Sequence, residues 1–477
     1  MLFNSLTFLV FLISFVPVYW FSSPRFRQFL ILFSSLIFYG FWRLEFIPLL
    51  IFSMTLDWKL SLMMEGKTAK QKFTLLLISI FINLGLLFYF KYLYFLNDNL
   101  NLVANFFGLS LNYQLMEIIL PLGISFYTFQ TLSYTIDVYR NHIKPEKSIL
   151  IYGCYVTFFP QLVAGPILRF SEVASQFRNR TEFNLDYIFS GLRRILYGVF
   201  LKVVLADNIA PLVDSGFNMD VNMMSAVDVW TLAFLFGFQI YFDFSAYSHI
   251  AIGTAKLLGI NFPENFNFPY VATSPRDFWK RWHISLSSWI RDYLYIPLTG
   301  KKVINKSTGG LEGVVKNNKI KPLFITWGVM GLWHGANWTF VLWGLYHASV
   351  IAIYRLLKPL SKYFTEKFIG VIGVLITLPT MMLSWVPFRA KTLEESILMW
   401  SKIIEPSSYS WLGMRENIYL VTAIITLGFF MSYFFKNYFM KNSKKYFFLL
   451  NAIFIALVFS SSFIFFRPIN QFIYFQF

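Results

Sequence analysis

The apolar positions of this chain gather in long runs, and the polar ones fall mostly in short stretches between them. Several runs reach the roughly 20 residues that a helix needs to cross a hydrocarbon core about 30 Å thick, 73–90 among them. The pattern predicts membrane helices near 2–19, 28–43, 46–58, 73–95, 117–139, 190–205 and 228–258. Five more follow near 322–333, 337–354, 368–387, 417–435 and 446–466. The stretch 149–168 is different, because basic residues flank it on both sides: 140–147 before it, and Arg169, Arg178 and Arg180 after it. Two flanks on one side of the membrane predict a re-entrant segment, and Pro160, Gly165 and Pro166 would break a helix there. Broken backbone at membrane depth survives only where protein or a water-filled cavity surrounds it. The expectation is an all-α integral membrane protein with roughly 10 to 12 spanning or re-entrant segments. They form one membrane-embedded domain over 1–477, with 391–477 supplying C-terminal transmembrane helices. No internal repeat is evident, which argues against a transporter built from inverted halves.

Composition agrees with this reading: 57% of residues are hydrophobic, 14% are charged, and 58 are Phe. A formal net charge of +17 would suggest nucleic acid in a soluble protein, but here the basic residues mark loops. Arg25, Arg27, Lys67, Lys70, Lys72, Arg140, Lys144 and Lys147 read as cytoplasmic charges that set orientation, so no nucleic-acid partner is expected. The stretch 97–101, without a basic residue, reads as an outside loop, as does an acidic one holding Asp207 and Asp214. Residues 271–321 read as a large cytoplasmic connection with amphipathic segments. It carries Arg276, Lys280, Arg281, Arg291, Lys301, Lys302, Lys306, Lys316, Lys319 and Lys321. The N-terminal run lacks a basic region before it and a small-residue cleavage site after it, and reads as an uncleaved helix starting outside. One cysteine, Cys154, allows neither a disulfide framework nor a Cys-based metal site.

Five histidines are candidates for chemistry, and their surroundings rank them. His142 lies in a basic loop. His334 stands in Gly331-Leu332-Trp333-His334-Gly335-Ala336-Asn337-Trp338, where an ionisable group in apolar surroundings marks a functional site by default, the alternative being a packing histidine. His283 sits in an aromatic and basic segment, 278–289, that reads equally as an interfacial helix with Trp and Arg at headgroup level. No His-x-x-x-His spacing joins these residues, so no metal site is expected. There is no Walker loop and no Gly-x-Ser-x-Gly elbow. Asp243 and Glu117 are the main acids within apolar runs, fewer than a proton-coupled transporter would usually show, though Asp243 keeps that alternative open.

These segments together resemble the membrane-bound O-acyltransferases, and among them the bacterial branch that includes the membrane subunit of alginate O-acetylation. The resemblance rests on Pro121-Leu122-Gly123-Ile124-Ser125-Phe126-Tyr127-Thr128-Phe129-Gln130, on 161–166, and on Phe242-Asp243-Phe244-Ser245. It continues through 278–289, Arg291-Asp292-Tyr293-Leu294-Tyr295-Ile296-Pro297 and Trp333-His334-Gly335-Ala336-Asn337-Trp338, and covers about residues 5–390. Trp385-Val386-Pro387-Phe388-Arg389-Ala390 also fits, with Pro387 departing from the usual residue.

The resemblance implies a helical bundle around a central tunnel, with His334 as the catalytic residue. It places the second family position, histidine or asparagine, on His283, toward the cytoplasm. It further implies acetyl-CoA or another acyl thioester as cytoplasmic co-substrate, with no bound cofactor, in a multi-pass protein of the bacterial inner membrane. Acyl transfer from a thioester needs no ATP, but a hydroxyl is a poor nucleophile until a positioned base takes its proton. An unperturbed imidazole, with a pKa of about 6.5, is largely neutral near pH 7 and suits that role. Asn337, Trp338 or a backbone N–H would then stabilise the oxyanion. The basic segment 276–291, with Arg276, Lys280, Arg281, Trp282 and Arg291, would suit the donor's phosphates, with lipid headgroups as the alternative ligand. Asp243 is a further candidate for the donor site. The implied partners are membrane lipids, a polysaccharide acceptor, and a separate extracytoplasmic acyltransferase or carrier protein that takes the acyl group onward. Acceptors weighed are alginate or acetylated cellulose, peptidoglycan, and teichoic acid receiving D-alanine. A transporter of acyl or glycan units gated by His334 is the reading from another class.

Overall fold

The computed structural model describes residues 1–109, 118–179, 181–300, 320–363, 365–442, 447–465 and 471–473, and among them there are helices and irregular segments but no strand. The N-terminal half runs through α1 (Leu6–Phe21), α2 (Pro24–Gly40), α3 (Ile47–Met63), α4 (Ala69–Leu87), α5 (Leu93–Phe106), α6 (Ile124–Tyr139), α7 (Ile149–Thr157) and α8 (Phe170–Arg178). Then come α9 (Leu185–Phe200), α10 (Asp207–Phe217), α11 (Ala226–Leu257), α12 (Pro275–Trp279), α13 (Ile284–Ile290) and α14 (Ile296–Leu298). The C-terminal part holds α15 (Ile320–His334), α16 (Trp338–Leu357), α17 (Glu366–Leu383), α18 (Trp385–Arg389), α19 (Leu393–Ile404), α20 (Glu416–Asn442) and α21 (Phe447–Ile464). Among the described residues, seven helical stretches are long and apolar enough to cross a membrane. The chain is thus a multi-pass membrane protein.

The axis of the bundle is α11. In its most apolar window 89% of the residues are buried in protein, whereas the other six spans bury 17–39% of theirs and turn the rest outward. A Ser225/Asp228 capping box starts α11 and satisfies two of the backbone groups a helix end leaves open. α9 lies against α11 with its backbone unusually close. A Cβ on Gly191 would come 2.8 Å from the Gly253 carbonyl, and one on Gly253 equally near that of Gly191, so only glycines fit the crossing.

The interrupted stretch 149–168 folds as its prolines require. α7 stops at Thr157, and the backbone from Phe158 to Leu168 is irregular yet buried throughout. Its polar groups are met from inside the protein. Phe159 N–H donates to Ser35 Oγ (3.1 Å), Ile167 N–H to Ser285 Oγ (3.0 Å), and Gln161 Nε2 to the Tyr155 carbonyl (2.6 Å).

Two expected loops are helical instead. Residues 97–101 continue α5, where Asn99 Nδ2 donates back to the Phe95 carbonyl (2.6 Å). Asp207 and Asp214 lie in α10 rather than in an acidic loop, because Asp207 pairs with Lys202 one turn earlier (2.9 Å) and Asp214 accepts from Arg389 (2.7 Å). The helix expected from 117 is first seen at Ile124. Glu117, Arg180, Lys301, Lys302, Lys306, Lys316 and Lys319 lie outside the described residues.

Candidate active site

His334 is the last residue of α15, and only 335–337 separate it from the start of α16, so the histidine stands at the tip of a helical hairpin. Asn337 caps α16, its side-chain carbonyl accepting from Thr339 N–H (3.0 Å). The two helices touch backbone to backbone: a Cβ on Gly331 would fall on the Phe340 carbonyl, and one on Gly344 on that of Trp327. This contact fixes the hairpin and buries the imidazole, 5% exposed, among aromatic faces. Ring centroids lie 5.0 Å away for Trp333, 4.8 Å for Trp343 and 5.3 Å for Phe388.

The far sides of these rings reach the other sequence motifs. Trp333 stacks on Phe129 of α6 (5.1 Å, 14°), and Phe129 stacks on Trp289 of α13 (3.9 Å, 6°). Trp289 Nε1 donates to the Phe129 carbonyl (2.9 Å). The segments 121–130, 278–289 and 333–338, far apart in the chain, therefore form one wall.

His283 is fully buried and stands just before α13 in the left-handed region, φ 40°, ψ 56°. Burial pushes its imidazole down to about 3, so the ring is neutral at physiological pH. Its Nδ1 faces Asn265 Oδ1 at 3.2 Å. The same oxygen accepts from Ser285 N–H (3.2 Å) and Ser285 Oγ (2.9 Å), which makes Nδ1 the donor and fixes the tautomer. Asn265 is held in turn by Ser248 (Nδ2 to Oγ, 3.0 Å).

The basic candidates divide by environment. Arg276, Lys280 and Arg291 are exposed. Arg281 is tied to Asp277 Oδ2 (3.0 Å), and Arg291 to both oxygens of Asp292 (2.7 and 3.2 Å). Arg169 also pairs with Asp292, Arg140 donates to the Asp292 carbonyl (3.3 Å), and both guanidinium groups lie 5.4 Å from the Tyr293 ring centroid. Three arginines from separate segments thus meet at Asp292, two at its carboxylate and one at its backbone carbonyl, a cationic cluster that reading them as loop charges did not anticipate. Trp282 is buried, packed 4.8 Å from Trp385 and 5.2 Å from Phe266, and is a core residue. Trp338 is 49% exposed and spends its indole N–H on Asn99 Oδ1 (2.9 Å).

Asp243 lies in a buried ion cluster. Its Oδ1 accepts from Lys202 Nζ (2.5 Å) and its Oδ2 from Ile473 N–H (2.6 Å), while Lys202 also donates to the Gln471 carbonyl (3.1 Å). The ion pair and the docked segment 471–473 occupy both carboxylate oxygens.

Sequence reasoning passed over Lys91 and Tyr92. They close a π-helical turn, Phe88–Tyr92, between α4 and α5. Lys91 Nζ donates to the carbonyls of Trp333 (2.6 Å) and His334 (3.1 Å), and Tyr92 Oη to that of Leu332 (2.9 Å). The available signal was a solitary lysine inside an apolar run.

Comparison with known proteins bears on this arrangement. The profile of the membrane-bound O-acyltransferase family matches residues 140–386, which include both His283 and His334. The chain is 37% identical over 404 residues to the "Probable alginate O-acetylase AlgI" of Azotobacter vinelandii, covering 84% of this chain and 77% of that protein. It is 35% identical over 403 residues to the "Peptidoglycan O-acetyltransferase" of Helicobacter pylori, covering 79% and 73%. To the "Teichoic acid D-alanyltransferase" of Bacillus subtilis it is 27% identical over 283 residues, covering 57% and 69%. A buried imidazole at a helical hairpin, inside the stretch that the family profile matches, accords with these likenesses: the chain belongs to the membrane-bound O-acyltransferase family and is an O-acyltransferase.

Proposed function

We propose that the chain takes an acetyl group from acetyl-CoA on the cytoplasmic side of the bacterial inner membrane and passes it toward hydroxyls of an extracytoplasmic polysaccharide, with His334 as general base. The observation that carries the reading is the placement of His334 at the hairpin tip, buried among Trp333, Trp343 and Phe388 with its backbone held from α4–α5. A base so fixed takes the proton from a hydroxyl as its oxygen attacks the thioester carbonyl. The tetrahedral intermediate then expels CoA thiolate, and the imidazolium returns the proton to sulfur. His283, neutral and donating through Nδ1 to Asn265, supports this step from the second family position. The exposed Arg276, Lys280 and Arg291 suit the anionic end of CoA. A separate extracytoplasmic acyltransferase or carrier protein takes the acetyl group onward.

The Helicobacter pylori relative favours a second reading, in which peptidoglycan is the acceptor. D-alanyl transfer to teichoic acid rests on the more distant relatives. A transporter gated by His334 is the reading from a different class. Purified protein given radiolabelled acetyl-CoA separates these. His334→Ala is expected to lower CoA release and label transfer about 10²–10⁴-fold, the usual worth of a general base. Unchanged turnover in a folded His334→Ala protein would remove His334 as the base and favour the transporter, while the labelled product identifies the acceptor.

A further inference from the structure

A helix ending in apolar surroundings leaves its last carbonyls in need of donors, and its C-terminus carries a partial negative charge. α15 ends at the histidine of the site, and the loop 335–337 offers little relief, Gly335 N–H reaching the Gly331 carbonyl only at 3.4 Å. The carbonyls of Leu332, Trp333 and His334 are instead met from one place, by Tyr92 Oη (2.9 Å) and by Lys91 Nζ (2.6 and 3.1 Å). The ammonium also lies 5.9 Å from the Trp333 ring centroid. Lys91 is the sole Lys or Arg between Lys72 and Arg140. A lysine in an apolar run is costly and is kept for a purpose. It is carried by a π turn, a helical irregularity found frequently at functional sites.

We infer that Lys91 is a positioning residue for acyl transfer. Its ammonium grips the carbonyls of Trp333 and His334 and so fixes the end of α15, which sets where the imidazole meets the reacting hydroxyl, with Tyr92 supporting the grip one residue away. The inference rests on His334 being the base. A mere cap would stabilise the fold and leave the rate of the folded enzyme alone. A positioning residue sets the rate itself, because a displacement of about 1 Å at a reacting group costs on the order of 10²-fold.

The test uses the full-length protein in detergent with acetyl-CoA, reading kcat and KM from CoA release for wild type, Lys91→Met, Lys91→Arg, Lys91→Gln and His334→Ala. Lys91→Met, which keeps the stem and loses the donors, is expected to lower kcat by about 10- to 100-fold with KM for acetyl-CoA little changed. Lys91→Arg, which restores charge and donors, is expected to recover most of that loss. Should Lys91→Met fail to fold, Lys91→Gln carries the same test, since it keeps one neutral donor and is expected to fall between wild type and the methionine variant. A folded Lys91→Met or Lys91→Gln enzyme with wild-type kcat, or a change confined to KM, overturns the inference. If His334→Ala is inactive in that same experiment, the base reading stands without Lys91. A His334→Ala enzyme that turns over normally overturns the base reading itself.

Discussion

Removing Lys202 should damage this protein more than removing Asp243, because the lysine serves two acids and Asp243 only one cation. Lys202 Nζ lies 2.5 Å from Asp243 Oδ1 and 2.9 Å from Asp207 Oδ1, with side-chain exposures of 2% for Lys202, 3% for Asp243 and 9% for Asp207. At an effective dielectric of about 20 each attraction is about 6 kcal/mol, most of it offset by the several kcal/mol that each buried ion loses in hydration. Lys202→Met leaves two buried carboxylates without their cation, and the cost is expected to be about 3–5 kcal/mol. Asp243→Ala leaves the Lys202–Asp207 pair intact and orphans chiefly the Ile473 N–H, at about 1–3 kcal/mol. The triple change Lys202→Met, Asp207→Asn and Asp243→Asn removes every charge and is expected to recover most of the loss. Thermal melting in detergent, beside CoA release per folded molecule, gives the order: Lys202→Met lowest, then Asp243→Ala, then wild type. A Lys202→Met melt equal to wild type refutes the reasoning. So does an Asp243→Ala protein that melts normally but no longer cleaves the thioester, and that result would return Asp243 to the donor site.

Two further outcomes follow from the site. Arg276→Gln combined with Lys280→Gln is expected to raise KM for acetyl-CoA several-fold and to leave KM for a short acyl thioester without phosphates unchanged, as steady-state kinetics with the two donors would reveal. Asn265→Ala removes the shared acceptor of His283 Nδ1–H and Ser285, costing about 1–3 kcal/mol in melting. It also lowers kcat, whereas Asn265→Asp, which keeps an acceptor oxygen, should retain more activity.

Much of this was legible beforehand because single residues carried it. Pro160, Gly165 and Pro166 fall within seven residues and together weigh against a helix, and the backbone from Phe158 to Leu168 is irregular as that clustering predicts. His334 stood out because an imidazole amid apolar residues is rare enough to notice. Most of the failures share another cause: they depend on pairings that a reading of one stretch at a time does not show. Asn99 reads as a loop residue until its amide is seen to donate to Phe95 and accept from Trp338. Asp207 reads as a loop acid until Lys202 lies beside it. Arg140 and Arg169, counted one loop at a time, give no hint that both converge with Arg291 on Asp292. Lys91 escaped because only acids and histidines were sought within the apolar runs, although a lysine there is equally costly.

The left-handed backbone at His283 limits what that position can teach. With φ at 40° it occupies a region in which Asn, Asp and His are several-fold enriched over other side chains. Other L-residues pay roughly 1–2 kcal/mol there. The histidine-or-asparagine alternation that the family resemblance implies for this position therefore falls among the side chains that the chain geometry favours, whatever the imidazole contributes to the reaction. An alanine at 283 removes the ring and strains the turn together, so a loss of activity in it would have two causes. Asparagine keeps the turn and takes away only the imidazole, which makes it the substitution that weighs the ring by itself.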